Sequence, residues 1–162
     1  MENTILNNIN EVKSELSNKV HHVLAHSYSV YFILFLVGVT LDLIYQVKIF
    51  QSPFLAPTGF TFLALATLLI FWAQSTTKHI NKQNMTKETF CRGPYCYTRS
   101  PTHWGLFLLM LGFGILANAL FVVIFTVIAF ILTKLVFLKK EEAILAKKYG
   151  TPYLEYKKLV RF

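Results

Sequence analysis

Apolar and polar residues alternate along this chain in long blocks. From Ser29 to Val47, and again from Thr58 to Gln74, apolar residues run almost without interruption. Each block is close to the ~20 residues a helix needs to cross a hydrocarbon core. A third block, His103 to Leu138, is too long for one crossing. It divides at Asn118, a residue suited to a tight turn, and so predicts a hairpin of two helices. Ahead of these blocks, Ile5, Ile9, Val12, Leu16, Val20 and Val23 recur at helical spacing among polar residues. That periodicity predicts an amphipathic helix lying on a membrane surface or against the rest of the fold. The expected architecture is an all-α integral membrane bundle of about four transmembrane helices, the last two forming the hairpin. An amphipathic N-terminal helix occupies residues 1–28, transmembrane helices 1 and 2 occupy 29–74, and a C-terminal region, 75–162, holds the hairpin and a closing cytosolic helix.

Composition agrees with a membrane protein. Of 162 residues, 54% are hydrophobic, more than a soluble domain of this size requires. The net charge of +8 at first suggests a nucleic-acid partner. Its distribution argues otherwise, because Lys and Arg fall between the apolar blocks. Lys13 and Lys19 precede the first span, while Lys78, Lys82, Lys87, Arg92 and Arg99 separate the second from the third. Lys139, Lys140, Lys147, Lys148, Lys157, Lys158 and Arg161 follow the fourth; the opposite side has only Lys48. The positive-inside rule then puts both termini and the middle loop in the cytoplasm. Met1 to Ser27 has no early apolar core, so a cleavable signal peptide is not expected. Short loops and the lack of an organelle signal suggest a bacterial inner membrane.

Several residues invite a chemical reading. Asp42 lies inside the first span, either as a functional carboxylate or simply reaching the interface. Gly105, Gly112 and Gly114 read as a surface for close helix packing. His22 and His26 share a helix face but have no third ligand nearby, so no metal site is expected. Cys91 and Cys96 form a lone pair, expected to be reduced if their loop is cytosolic.

The hairpin must return its two ends to one face, so GPYCYTRSPTHWG (residues 93–105) should lie beside KKEEAILAKKYGTPYLEYKK (139–158). The first segment offers Arg99, a planar cation suited to a carboxylate, on a backbone stiffened by Pro94 and Pro101. Gly93 permits close approach by a ligand. The second offers Glu141 and Glu142, which point about 100° apart on a helix and cannot act as a facing pair. One can enter a pocket while the other meets a lysine, and a carboxylate suits the two hydroxyls of a ribose. The competing reading is plain membrane anchoring by basic and aromatic residues.

Over about Thr86 to Phe162 the chain resembles the isoprenylcysteine carboxyl methyltransferase family, which is related to membrane phospholipid methyltransferases. The resemblance is carried by Gly93, Tyr95, Arg99, Pro101 and Gly105 before and into the hairpin. Glu141, Glu142, Tyr149, Gly150, Tyr153 and Tyr156 carry it afterwards, and LVRF resembles the family's ending. The resemblance implies a membrane methyltransferase using S-adenosylmethionine at the cytosolic face. Its cofactor would lie among Thr89, Phe90, Tyr95, Ser100, Pro101, Thr102, His103, Gly105, Glu141 and Glu142, with Arg99 and His103 in catalytic roles. The methyl group would pass to a carboxylate or other nucleophile on a lipid-like or prenylated acceptor arriving from the bilayer. Ser100 stands where the family has His, His103 where it has Tyr, and Phe137 where it has a substrate-facing Arg. Two alternatives accompany this reading: an NADPH-dependent membrane reductase with a similar hairpin, and an inactive membrane protein of the same fold.

Overall fold

From Glu2 to Tyr45 the chain has no proline and a single glycine, Gly38, so nothing in the sequence breaks a helix there. In the computed structural model, which describes residues 2–47, 55–78 and 87–160, this stretch is one continuous helix, α1 (Glu2–Tyr45). The boundary expected after residue 28 is therefore not a break. Ser27 and Ser29 sit inside the helix because their hydroxyls donate to Leu24 O and Ala25 O, 2.9 Å away in each case. At 1.5 Å per residue α1 is about 66 Å long, roughly twice a hydrocarbon core. Of the loop expected over residues 48–57, residues 48–54 lie outside the described residues, as do Lys82, Arg161 and Phe162, while Leu55 to Pro57 already belong to the next helix.

The remaining elements are α2 (Leu55–Lys78), the short α3 (Lys87–Phe90), a 3-10 turn (Gly93–Cys96) and α4 (Pro101–Leu116). After the turn at Asn118, which takes φ 53°, come α5 (Leu120–Leu132) and a π-helical turn (Thr133–Phe137). The chain ends in α6 (Leu138–Tyr149) and α7 (Thr151–Leu159). No strand occurs among the described residues. Three stretches are long and apolar enough to cross a membrane: Ser14–Tyr45, Ala56–Thr77 and Leu120–Tyr149. Pro101–Leu116 is apolar but shorter. Phe32, Leu43, Phe60, Leu68, Phe71 and Leu135 all face outward, an arrangement that needs lipid around it. The protein is an integral membrane helix bundle.

The bundle is held by two close helix contacts. On α2, Gly59, Ala66 and Ala73 recur every seventh residue and are buried. Gly59 and Ala66 face α4 at Gly112 and Gly105, also seven apart. A Cβ on Gly112 would stand 2.9 Å from Gly59 O, so only glycine allows this approach. The second contact is between α1 and α5, where a Cβ on Gly38 would stand 3.0 Å from Val122 Cα. This closeness lets Asp42, one turn further along α1, reach the start of α5. Its two carboxylate oxygens accept from Phe121 N at 3.1 Å and Val122 N at 2.9 Å. Asp42 therefore caps a neighbouring helix, satisfying donors that the α5 backbone cannot pair itself. Both earlier readings of Asp42 give way to a structural one.

Candidate functional site

Because α1 packs chiefly on α5 and α2 on α4, a groove remains between α1 and α2, floored by α4. Its volume is about 550 Å³. Most of the lining is apolar, including Phe32, Phe35, Leu63, Ile70 and Leu109, but Tyr28, Gln74 and Thr102 give polar character to the end nearest the start of α4. That is also the end where the basic segments gather.

There the two segments flanking the hairpin meet. Arg99 Nη1 lies 2.6 Å from Glu142 Oε1, close as an ion pair although not aligned as a hydrogen bond. Lys157 Nζ on α7 lies 2.8 Å from the other oxygen, Oε2. Glu142 is thus 8% exposed by side chain and shared by two cations, which is how a buried carboxylate avoids the cost of lost hydration. The Tyr156 hydroxyl donates to Tyr95 O at 2.7 Å and joins α7 to the 3-10 turn. Burial pushes the Tyr95, Tyr153 and Tyr156 phenols above their ordinary pKa, so they stay neutral and Tyr156 keeps its donor proton.

Glu141 differs from its neighbour. Among the described residues it has no hydrogen-bonded or ion-pair partner, yet it is near enough to Tyr28 and Tyr95 to act on them electrostatically. The 100° between successive helical positions separates the two acids: Glu142 turns to Arg99 and Lys157, Glu141 toward the polar end of the groove. Tyr95 itself sits beside Thr77, with the hydroxyls 3.3 Å apart.

The other expected site residues are distributed unevenly. Thr102 lines the groove. Ser100 and Pro101 begin α4, and Gly105 packs on Ala66 and Ile70 instead of facing a cavity. Phe90 is enclosed by Tyr149, Tyr153 and Tyr156, with ring centroids 5.2 to 5.7 Å away, so its ring serves the packing of the tail. Thr89 precedes it on α3. His103 is buried between α1 and α4, where its Nε2 lies 3.0 Å from Ser27 Oγ. Arg99 and His103 therefore both make structural contacts here. His22 and His26 stack on α1, His26 Nδ1 donating to His22 O, and no metal-binding cluster occurs among the described residues. Cys91 and Cys96 form a disulfide, in contrast to the reduced pair expected; the 3-10 turn brings their Cα atoms to 4.5 Å.

Tyr28, Gln74, Thr77 and Lys157 were not singled out in the sequence. Tyr28 sits next to Ser29, at the polar end of a predicted span, and Lys157 belongs to a basic run that reads as topology charge.

The sequence model of the phospholipid methyltransferase family matches residues 54–152, more than half of the chain. The matched stretch includes α2, the hairpin and α6, and with them Arg99, Glu141 and Glu142. No curated protein and no solved structure matches the chain.

Proposed function

The chain belongs to the phospholipid methyltransferase family, which includes membrane methyltransferases of the isoprenylcysteine type, and from that premise we propose that it moves a methyl group from S-adenosylmethionine to an amphipathic acceptor drawn from the bilayer. One observation carries the reading: the polar end of an apolar groove, at Tyr28, lies within electrostatic reach of Glu141, a carboxylate without a hydrogen-bonded or ion-pair partner among the described residues. The residues present suit the cofactor. Glu141 would hold its ribose hydroxyls or ammonium, the Arg99 and Lys157 cations its carboxylate, and Tyr95 and Thr102 its remaining polar edge. When bound, S-adenosylmethionine supplies an electrophilic methyl group on a positively charged sulfur.

The protein's own contribution is alignment and dryness. The groove walls hold an acyl or prenyl tail, so the nucleophile of the acceptor is confined to the polar end near Tyr28 and Thr102. A carboxylate acceptor is ionised near neutral pH and needs no base; an amine would have to lose a proton first. Besides facing the cofactor, Arg99 fixes Glu142, and through it the rotation of α6 that directs Glu141. His103 fixes α4 against α1. We assign His103 to positioning. The polar end of the groove faces the cytoplasm in this reading, in keeping with the positive-inside rule.

Thermal unfolding of the detergent-solubilised protein with S-adenosylhomocysteine or NADPH separates the readings. A rise in midpoint with the first alone is expected; a rise with NADPH alone points to a reductase. Labelled S-adenosylmethionine incubated with membranes should then yield a labelled lipid-like product. No shift at millimolar S-adenosylhomocysteine and no labelled product would overturn the proposal.

A further inference from the structure

Behind Tyr31, which lines the groove, lies a second, much smaller chamber of about 30 Å³ that His103 also lines. It sits where α1, α4 and the π-helical turn converge, and Arg99 and Lys134 also line it. Tyr31, His103 and Thr133 are 2%, 4% and 2% exposed. Three of their polar atoms, the Tyr31 hydroxyl, His103 Nδ1 and the Thr133 hydroxyl, have no hydrogen-bonding partner among the described residues. Tyr31 and Thr133 are close enough to influence each other, but not in hydrogen-bonding geometry.

Thr133 is unusual in this fold. Thr40, Thr61, Thr67, Thr76, Thr77 and Thr126 each donate to the carbonyl four residues back. Thr133, at the start of the π-helical turn, does not, and such turns often accompany functional sites. Buried polar atoms are rarely left unpaired, and three around one void call for a guest.

The chemistry of that guest follows from the hydrogen-bond directions. Ser27 gives its only hydroxyl proton to Leu24 O, so its oxygen must accept from His103 Nε2–H. A neutral His103 therefore presents a bare Nδ1 lone pair to the chamber. The guest must donate to that nitrogen and also accept from a hydroxyl. A carboxylate cannot donate, and an ammonium cannot accept and would face Arg99 and Lys134. Water does both, and a cavity of this volume admits one or two molecules.

We propose that the chamber is a bound-water site that ties α1, α4 and the π-helical turn together through Tyr31, His103 and Thr133. The water also fixes Tyr31, which lines both the chamber and the groove. The proposal does not depend on methyl transfer. Brief radiolytic hydroxyl labelling of the full chain in detergent tests it, because water bound beside a buried side chain oxidises it rapidly. Tyr31 should label at least threefold faster than Tyr153, which is equally buried at 3%. Thr133→Ile, which fills the space, should bring Tyr31 down to the Tyr153 rate, and Thr133→Val should lower it partway. Equal rates for Tyr31 and Tyr153 in the unmodified protein would overturn the proposal. So would fast labelling of Tyr31 that persists in either folded variant.

Discussion

Asp42 and Glu142 are partnered carboxylates at opposite ends of one helix bundle, the first half-buried and the second buried, and they are neutralised in different ways. Asp42 is held by two backbone N–H groups at the start of α5. Those donors belong to a helix and cannot turn elsewhere. Glu142 is held by Arg99 and Lys157, two side chains on separate segments. One end of the bundle is therefore fastened through its backbone. The other is closed by charges that a ligand bearing charges of its own can rearrange, and the unpaired Glu141 and the polar end of the groove are found there.

Substitutions at three positions sharpen this contrast. The largest effect is expected from Glu142→Ala, which removes the carboxylate shared by Arg99 and Lys157 and leaves a largely buried cation behind. The cost should be about 3 kcal/mol, read as a fall of roughly 10 °C in the unfolding midpoint. Asp42→Ala should cost about 1–2 kcal/mol by uncapping α5, with Asp42→Asn recovering part of the loss. Once folded, this variant should bind S-adenosylhomocysteine normally; weakened binding would mean that the two ends are coupled. The smallest effect on stability belongs to Glu141→Gln, which has no ion pair to break and should leave the midpoint within about 1 °C. Its affinity for S-adenosylhomocysteine, measured by calorimetry, should nevertheless fall about tenfold through loss of a charged hydrogen bond. If Glu142→Ala, once folded, weakens binding more than Glu141→Gln does, the roles assigned to the two acids are reversed.

Much of this arrangement was legible in the sequence, because it rests on local rules. The hairpin turn at Asn118 follows from the length of an apolar block, and the meeting of Arg99 with the tail follows from the hairpin. That one acid would meet a lysine while its neighbour turned elsewhere follows from helical geometry. What remained hidden depends on long-range register. Nothing near Asp42 shows that its partners are Phe121 and Val122, and nothing near His103 points to Ser27. The continuity of α1 was missed for another reason: a change from polar to apolar composition resembles an element boundary, but composition alone does not break a helix. Phe90 matched a family position, while its aromatic neighbours, all in the tail, determine what its ring does.

The small-residue seam between α2 and α4 restricts how the groove can open. With Gly59 and Gly112 in near backbone contact, α2 cannot slide or tilt without colliding with α4. At the far end α1 is fastened by Asp42, whereas toward the groove's polar end it meets α4 through side chains such as Ser27, which accepts from His103, and packs on α6 and the π-helical turn. With α2 and α4 locked as one wall, any widening that admits a bulky chain falls to α1, and its packing on α6 and the π-helical turn has to shift for that to happen.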